Sequence, residues 1–140
     1  MLFRSSAENE QVKGNGYSTS NCSLESRIEL GFVFDPAVVT QDMYAIVTYT
    51  NHVGEECEDR VDGSEFEIYT KGRWRIPVNG LAVADGVTLV TCTIYDADDN
   101  VISVAKDSVN SYLSRAIAAN GGNLYVQALK FTKSAYAYFH

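Results

Sequence analysis

Between Val104 and Val109 the spacing of apolar residues changes period, and no other feature constrains the fold as much. Before the change, apolar side chains alternate. In "RIELGFVF", Ile28, Leu30, Phe32 and Phe34 face one way and Arg27, Glu29 and Gly31 the other, which is a strand with one buried face. After it, Val109, Tyr112, Leu113, Ala116 and Ile117 recur at the spacing of a single helix face. Strands that all precede the helices predict an α+β chain, not alternating β-α units.

The other strands read from the same alternation. Asp35-Pro36 ends the first run. "MYAIVTYT" is apolar on both faces and reads as a central strand, and "ECEDRV" as a polar edge. "EFEIYTKGRWRIPV" reads as a hairpin turning at Lys71-Gly72. Phe66, Ile68, Trp74 and Ile76 share one buried face, and Glu and Arg pair across the other. "VTLVTCTIY" and "NVISVA" follow closely. Two helices are expected at about 108–119 and 124–138, with Asp107 or Ser108 as N-cap and Asn120-Gly121-Gly122 as the stop. The second carries two adjoining apolar stripes. Leu124, Ala128, Phe131, Ala135 and Tyr138 form one, and Tyr125, Leu129, Tyr136 and Phe139 the other. The architecture predicted is an antiparallel β-sandwich-like sheet followed by a C-terminal helical hairpin packed on it, with Phe131 buried at the contact. Polar residues 1–22 have no periodic apolar pattern and read as a flexible leader. Residues 23–140 form a single β-rich domain.

Charge narrows the class of partner. The net charge of −7 argues against nucleic acid, because phosphate contacts need a basic surface. Residues 25–107 hold sixteen acids against six bases, whereas 108–140 hold three bases and no acid, so the end of the chain is expected to dock on its acidic body. No stretch approaches a membrane span, and "MLFRSSAENE" lacks the apolar core of a signal peptide; the chain is then either not exported or an excerpt of a longer one. Cys22, Cys57 and Cys92 lack metal-site spacing. Cys92 reads as a small buried hydrophobe, and a Cys22–Cys57 disulfide is open. His52 and His140, one in a loop and one terminal, do not suggest a catalytic triad.

Three constellations could carry chemistry. In "YDADDNVISVAKD", Asp96, Asp98, Asn100 and Asp107 stand at calcium-loop spacing. Val101, however, occupies the position that needs glycine, and strand formers follow it, so a tight hairpin turn is the reading and a metal site the alternative. Glu55, Glu56, Glu58, Asp59, Asp62, Glu65 and Glu67 form an acidic run. It reads as a solvated strand face; paired-carboxylate hydrolysis would need two of them to converge in a cleft. Trp74, Tyr136 and Tyr138 are the candidate ligand-stacking aromatics, with core packing as the competing reading for Trp74. No cofactor is expected.

"VTCTIYDADDNVISVAKDSVNSYLSRA" followed by "LYVQALKFTKSAYAYFH" resembles Ig-like, β-rich terminal modules of large secreted or wall-attached surface proteins of gut Firmicutes. "IELGFVFDP" and "MYAIVTYTN" are similar to their early strands, so the resemblance covers about residues 25–140. Asp99 stands where such hairpins often carry Gly. The resemblance implies an extracellular or cell-surface location and a non-catalytic structural or adhesive role, with other domains of a larger protein, a glycan or a protein as partner. The alternative role is a carbohydrate- or protein-binding module, and a small hydrolase ranks third.

Overall fold

The computed structural model describes residues 11–23, 29–120 and 123–139, without the side chains at 120, 123–125 and 136–139. Ile28 and the Gly121-Gly122 stop lie outside the described residues. In chain order the elements are β1 (Tyr17–Ser23), β2 (Glu29–Phe34), β3 (Tyr44–Thr50), β4 (Glu56–Asp62), β5 (Glu67–Ile68), β6 (Trp74–Pro77), β7 (Val90–Tyr95) and β8 (Val101–Asp107), then α1 (Val109–Asn120) and α2 (Asn123–Phe139).

Alternation places the core. The strands form two antiparallel four-stranded sheets, β1-β2-β6-β5 and β4-β3-β7-β8. Leu30, Phe32, Phe34 and Ile76 face inward from the first. Ala45, Val47, Val90, Cys92 and Ile94 meet them from the second, all essentially without exposure. Burying one large side chain such as Phe32 contributes roughly 2–3 kcal/mol. As expected, β3 is central and the acidic β4 is an edge. The chain is α+β, strands first and a helical hairpin last.

Three expectations need correction. First, residues 17–22 are not a leader outside the fold. They form most of β1, which pairs with β2 from Tyr17↔Phe34 to Ser23↔Glu29. Val12 bridges Lys106 on β8, so residues 12–23 run up one sheet and down the other. The strand was hidden because its inward positions are polar: Tyr17 and Ser20 are buried and bond each other's hydroxyls. Residues 1–10 lie outside the described residues.

Second, Ile68 is 84% exposed, whereas Phe66 and Ile76 are buried and Trp74 is half-buried against the core. β5 is only two residues long, at the margin of its sheet, and Phe66 just before it closes the core there. The expected cross-strand pair does form, Arg75 to Glu67 at 2.7 Å.

Third, Phe131 is 59% exposed, and α2 docks through Ala128, Leu129 and Thr132 instead. The reason is what it docks against. The helical hairpin sits at one end of the sandwich, where the 3-10 turn Val83–Val87 connects β6 to β7, and α2 rests on that turn. A side chain at Gly86 would collide with Thr132 Cβ and Asn110 Oδ1, each 2.7 Å from where its Cβ would stand, so only glycine lets the helices come this close. A tight approach selects the small residues of α2 and turns Phe131 outward. α1 starts where expected: Ser108 Oγ accepts the Ser111 N–H at 3.0 Å, and Ser108 O accepts the Tyr112 N–H at 3.0 Å.

Candidate functional site

The aspartate-rich stretch folds as a hairpin turn. Asp99 N–H donates to Asp96 O at 3.0 Å, and Asp99 takes a left-handed φ of 64°, which aspartate tolerates better than most residues. The Asp96 carboxylate accepts the N–H groups of Asp98 and Asn100, both at 2.9 Å, and the Asn100 amide at 3.2 Å. These bonds, led by the one from Asn100 N–H, hold the Asp96 carboxyl below its ordinary pKa. Asp107 does not join them. It lies at the far end of β8, roughly 20 Å along the strand. Among the described residues no cluster of three or more His, Cys, Asp or Glu side chains is arranged to hold a metal.

Asp107 instead joins three elements. It is fully buried and takes the Arg115 guanidinium of α1 in a two-pronged pair, Nη1 to Oδ1 at 3.1 Å and Nη2 to Oδ2 at 2.5 Å. Its Oδ1 accepts the Ser108 N–H at 2.9 Å, and its Oδ2 the Tyr17 hydroxyl of β1 at 3.4 Å. Burial is the main reason the Tyr17 hydroxyl is pushed up to about 12.

Further polar groups are buried at this junction, beside the apolar Val109 and Leu113. Asn110 and Ser111 on α1 and Thr132 on α2 are buried. Thr132 Oγ1 lies 2.6 Å from Asn110 Oδ1 and 2.9 Å from Leu129 O, and its one proton serves a single acceptor at a time. Asn110 Nδ2 and Ser103 Oγ are buried without a hydrogen-bond partner among the described residues. An orphaned group of this kind costs about 1–3 kcal/mol.

Under α2, the buried Asp85 accepts three bonds: the His52 N–H at 2.7 Å, His52 Nδ1 at 2.8 Å and the Ala82 N–H at 2.7 Å. A carboxylate behind a histidine is the orienting half of a catalytic base. Here the carboxylate also binds backbone of both turns, so it clasps the β3–β4 turn to the turn carrying α2. No local pattern announces this pair, because thirty-three residues separate its members.

On the outer face of the first sheet, Arg75 lies across Gly31, where a Cβ would overlap its guanidinium. It bonds Asn21 of β1, Glu29 of β2 and Glu67 of β5. On the outer face of the second sheet, Tyr44 stacks on Tyr95 with ring centroids 5.1 Å apart, and Arg60 covers its other face at 3.8 Å. That column occupies both faces of the Tyr44 ring.

The remaining sequence candidates are dispersed. Trp74 packs against the core. The side chains of Tyr136 and Tyr138 lie outside the described residues. The acidic set bonds separate partners: Glu55 takes Asn51, Glu56 takes Thr50, Asp59 takes Asn79, Asp62 takes Arg60, Glu65 takes the Asp62 N–H and Glu67 takes Arg75. Glu58 is exposed. All three cysteines are free thiols, Cys22 and Cys57 lying on strands of different sheets. Burial pushes Cys22 up to about 12 and raises Cys92 further, so both stay protonated, whereas a nucleophile or metal ligand must be thiolate. Among the described residues no helix is long and apolar enough to cross a membrane. No family model, curated protein or solved structure matches the chain.

Proposed function

We propose that this chain is a non-catalytic structural or adhesive module of an extracellular or cell-surface protein. One observation carries the reading. Each buried cluster built around a charged side chain fastens one part of the backbone to another. Asp107 ties β8 to α1 and β1, Arg75 ties three strands of one sheet, and Asp85 ties two turns. Groups used this way give a module that keeps its shape. The strand order supports an Ig-like assignment: β1-β2-β6-β5 over β4-β3-β7-β8 is the ABED-over-CFG arrangement with one added edge strand. Cys92 occupies the β7 core position without a cysteine opposite, so hydrophobic packing alone joins the sheets there.

Location is tested by treating intact source cells with a non-permeant biotin reagent and probing for the chain. Labelling of the chain alongside known surface proteins is expected, and confinement to the unlabelled cytosolic fraction overturns the proposal. Trp74 packed against the core favours adhesion through protein over adhesion through sugar stacking, so no retention on a glycan array is expected; saturable binding there reverses that preference.

A further inference from the structure

The four sheet edges differ in how they are protected. β1 and β8 lie beside one another, and α1 abuts β1. Val12 pairs with β8 at Lys106, and Gly14 lies so close to Ser103 and Val104 that a Cβ there would overlap them. β5 offers two residues. β4 is seven residues long, keeps unbroken register with β3 from Tyr44↔Asp62 to Thr50↔Glu56, and among the described residues has no neighbour on its other side.

The ladder tells which groups face outward. Asn51 N–H donates to Glu55 O at 2.9 Å, so that pair is hydrogen-bonded and the pairs alternate from there. Cys57, Asp59 and Val61 therefore direct their backbone groups at β3. The outward backbone groups belong to Glu56, Glu58, Arg60 and Asp62; Glu65 Oε1 already takes the Asp62 N–H at 3.0 Å, which leaves the N–H groups of Glu56, Glu58 and Arg60 for a further strand. An edge of this length with regular geometry is a template for another strand.

Its charge selects the strand. β4 carries four carboxylates against the single guanidinium of Arg60. That guanidinium is already engaged, by Asp62 at 2.8 Å and by the Tyr44 ring at 3.8 Å. Two β4 edges brought together repel each other, whereas an extended segment bearing Lys or Arg meets unneutralised carboxylates. We propose that the β4 edge is a docking site for an extended, positively charged peptide segment, added as a fifth strand beside β4. This deepens the adhesive reading and rests on it for the setting, not for the geometry.

The probe is an acetylated, amidated peptide alternating lysine and valine, titrated into the full chain while amide exchange is followed by NMR. A second peptide carries glutamate in place of lysine. The expected result is slowed exchange at Glu56, Glu58 and Arg60 with the lysine peptide, at least tenfold weaker binding of the glutamate peptide, and weakening by added salt. Glu58→Pro removes one outward N–H and no β3–β4 bond, so it is expected to leave thermal unfolding near that of the parent while weakening binding at least tenfold. Glu58→Lys is expected to narrow the preference between the two peptides. Equal binding of both peptides, protection away from β4, no protection at all, or self-association through β4 overturns the proposal. None of these outcomes bears on surface labelling of intact cells, so failure here is distinguishable from failure of the module reading.

Discussion

The space between the two sheets and the space between the sandwich and its helices are both closed to water, yet the first is mostly apolar, whereas the second sets buried polar groups beside the apolar Val109 and Leu113. Between the sheets stand Leu30, Phe32, Phe34, Val47, Ile76 and Ile94. Under the helices stand Asp107, Ser108, Asn110, Ser111 and Thr132, equally inaccessible. Apolar packing is indifferent to direction, so it supplies strength; hydrogen bonds and the Asp107–Arg115 pair require particular partners, so they supply orientation. The sandwich is therefore expected to hold the fold together, and the junction to fix how the helices sit and to open first.

The first test disturbs both regions together. A chain starting at Ser23 loses most of β1 and the Tyr17 hydroxyl at Asp107. It is expected to lose roughly 5 kcal/mol or more, from apolar burial and several ladder bonds. Denaturant unfolding measures it, and an unchanged midpoint would show that β1 contributes nothing.

The second test separates the regions. Phe32→Ala is expected to cost about 3–5 kcal/mol and to speed amide exchange everywhere. Asp107→Asn is expected to cost about 2 kcal/mol, with faster exchange concentrated in α1 and α2. Equal acceleration in strands and helices for both variants would erase the distinction.

Alkaline titration probes the same contrast through protons. Tyr17 titrates near 10 when unfolded and about 12 when folded; Cys22 moves from near 9 to about 12, and Cys92 is also raised. A raised folded pKa means the contribution is complete below the unfolded value and lost as pH rises through the folded one. Stability should then fall steadily above about pH 9, starting with the thiols. Cys92→Ala, which removes one titrating group, should flatten the early part of that fall in thermal unfolding at successive pH.

Smaller effects sharpen the picture. Asn110→Leu combined with Thr132→Val replaces a hydrogen-bonded pair, and one orphaned amide, by apolar groups of similar size. The double variant is expected within about 1 kcal/mol of the parent, either way, whereas Thr132→Val alone should cost more. Last, Phe131→Asp should shift stability by less than about 0.5 kcal/mol, because the side chain is mostly in water. Unfolding of that variant would mean that Phe131 is buried at the contact.

Legibility in the sequence followed the same division. β2, β3 and β7 announced themselves because their inward residues are apolar and alternate, and β8 because Val101, Ile102 and Val104 are strand formers, although its buried residues are Ser103, Ala105 and Asp107. β1 did not, since Tyr17 and Ser20 solve their burial by bonding each other. On α2 two adjoining apolar stripes were visible, and nothing local says that the contact runs along their border, through Ala128, Leu129 and Thr132. That choice belongs to Gly86, more than forty residues away in sequence. The turn at Asp96 was readable from spacing because every bond in it is local. The Asp107 and Asp85 clusters were not, because their members meet only after folding.

The bond from Tyr17 to Asp107 spans ninety residues, and the Val12–Lys106 bridge crosses a similar distance. On a ribosome this sets an order of events. β1 leaves the exit tunnel soon before β2 and can pair with it, but its outer side waits until β8 has been made. Until then the first sheet carries an open border, and the nascent chain is most exposed to wrong pairing while β3 to β7 emerge. Completion comes abruptly, when Asp107 arrives and receives a tyrosine synthesised ninety residues earlier and an arginine made moments later. Contacts between residues so far apart in sequence form slowly, so this last step is expected to be the slow one.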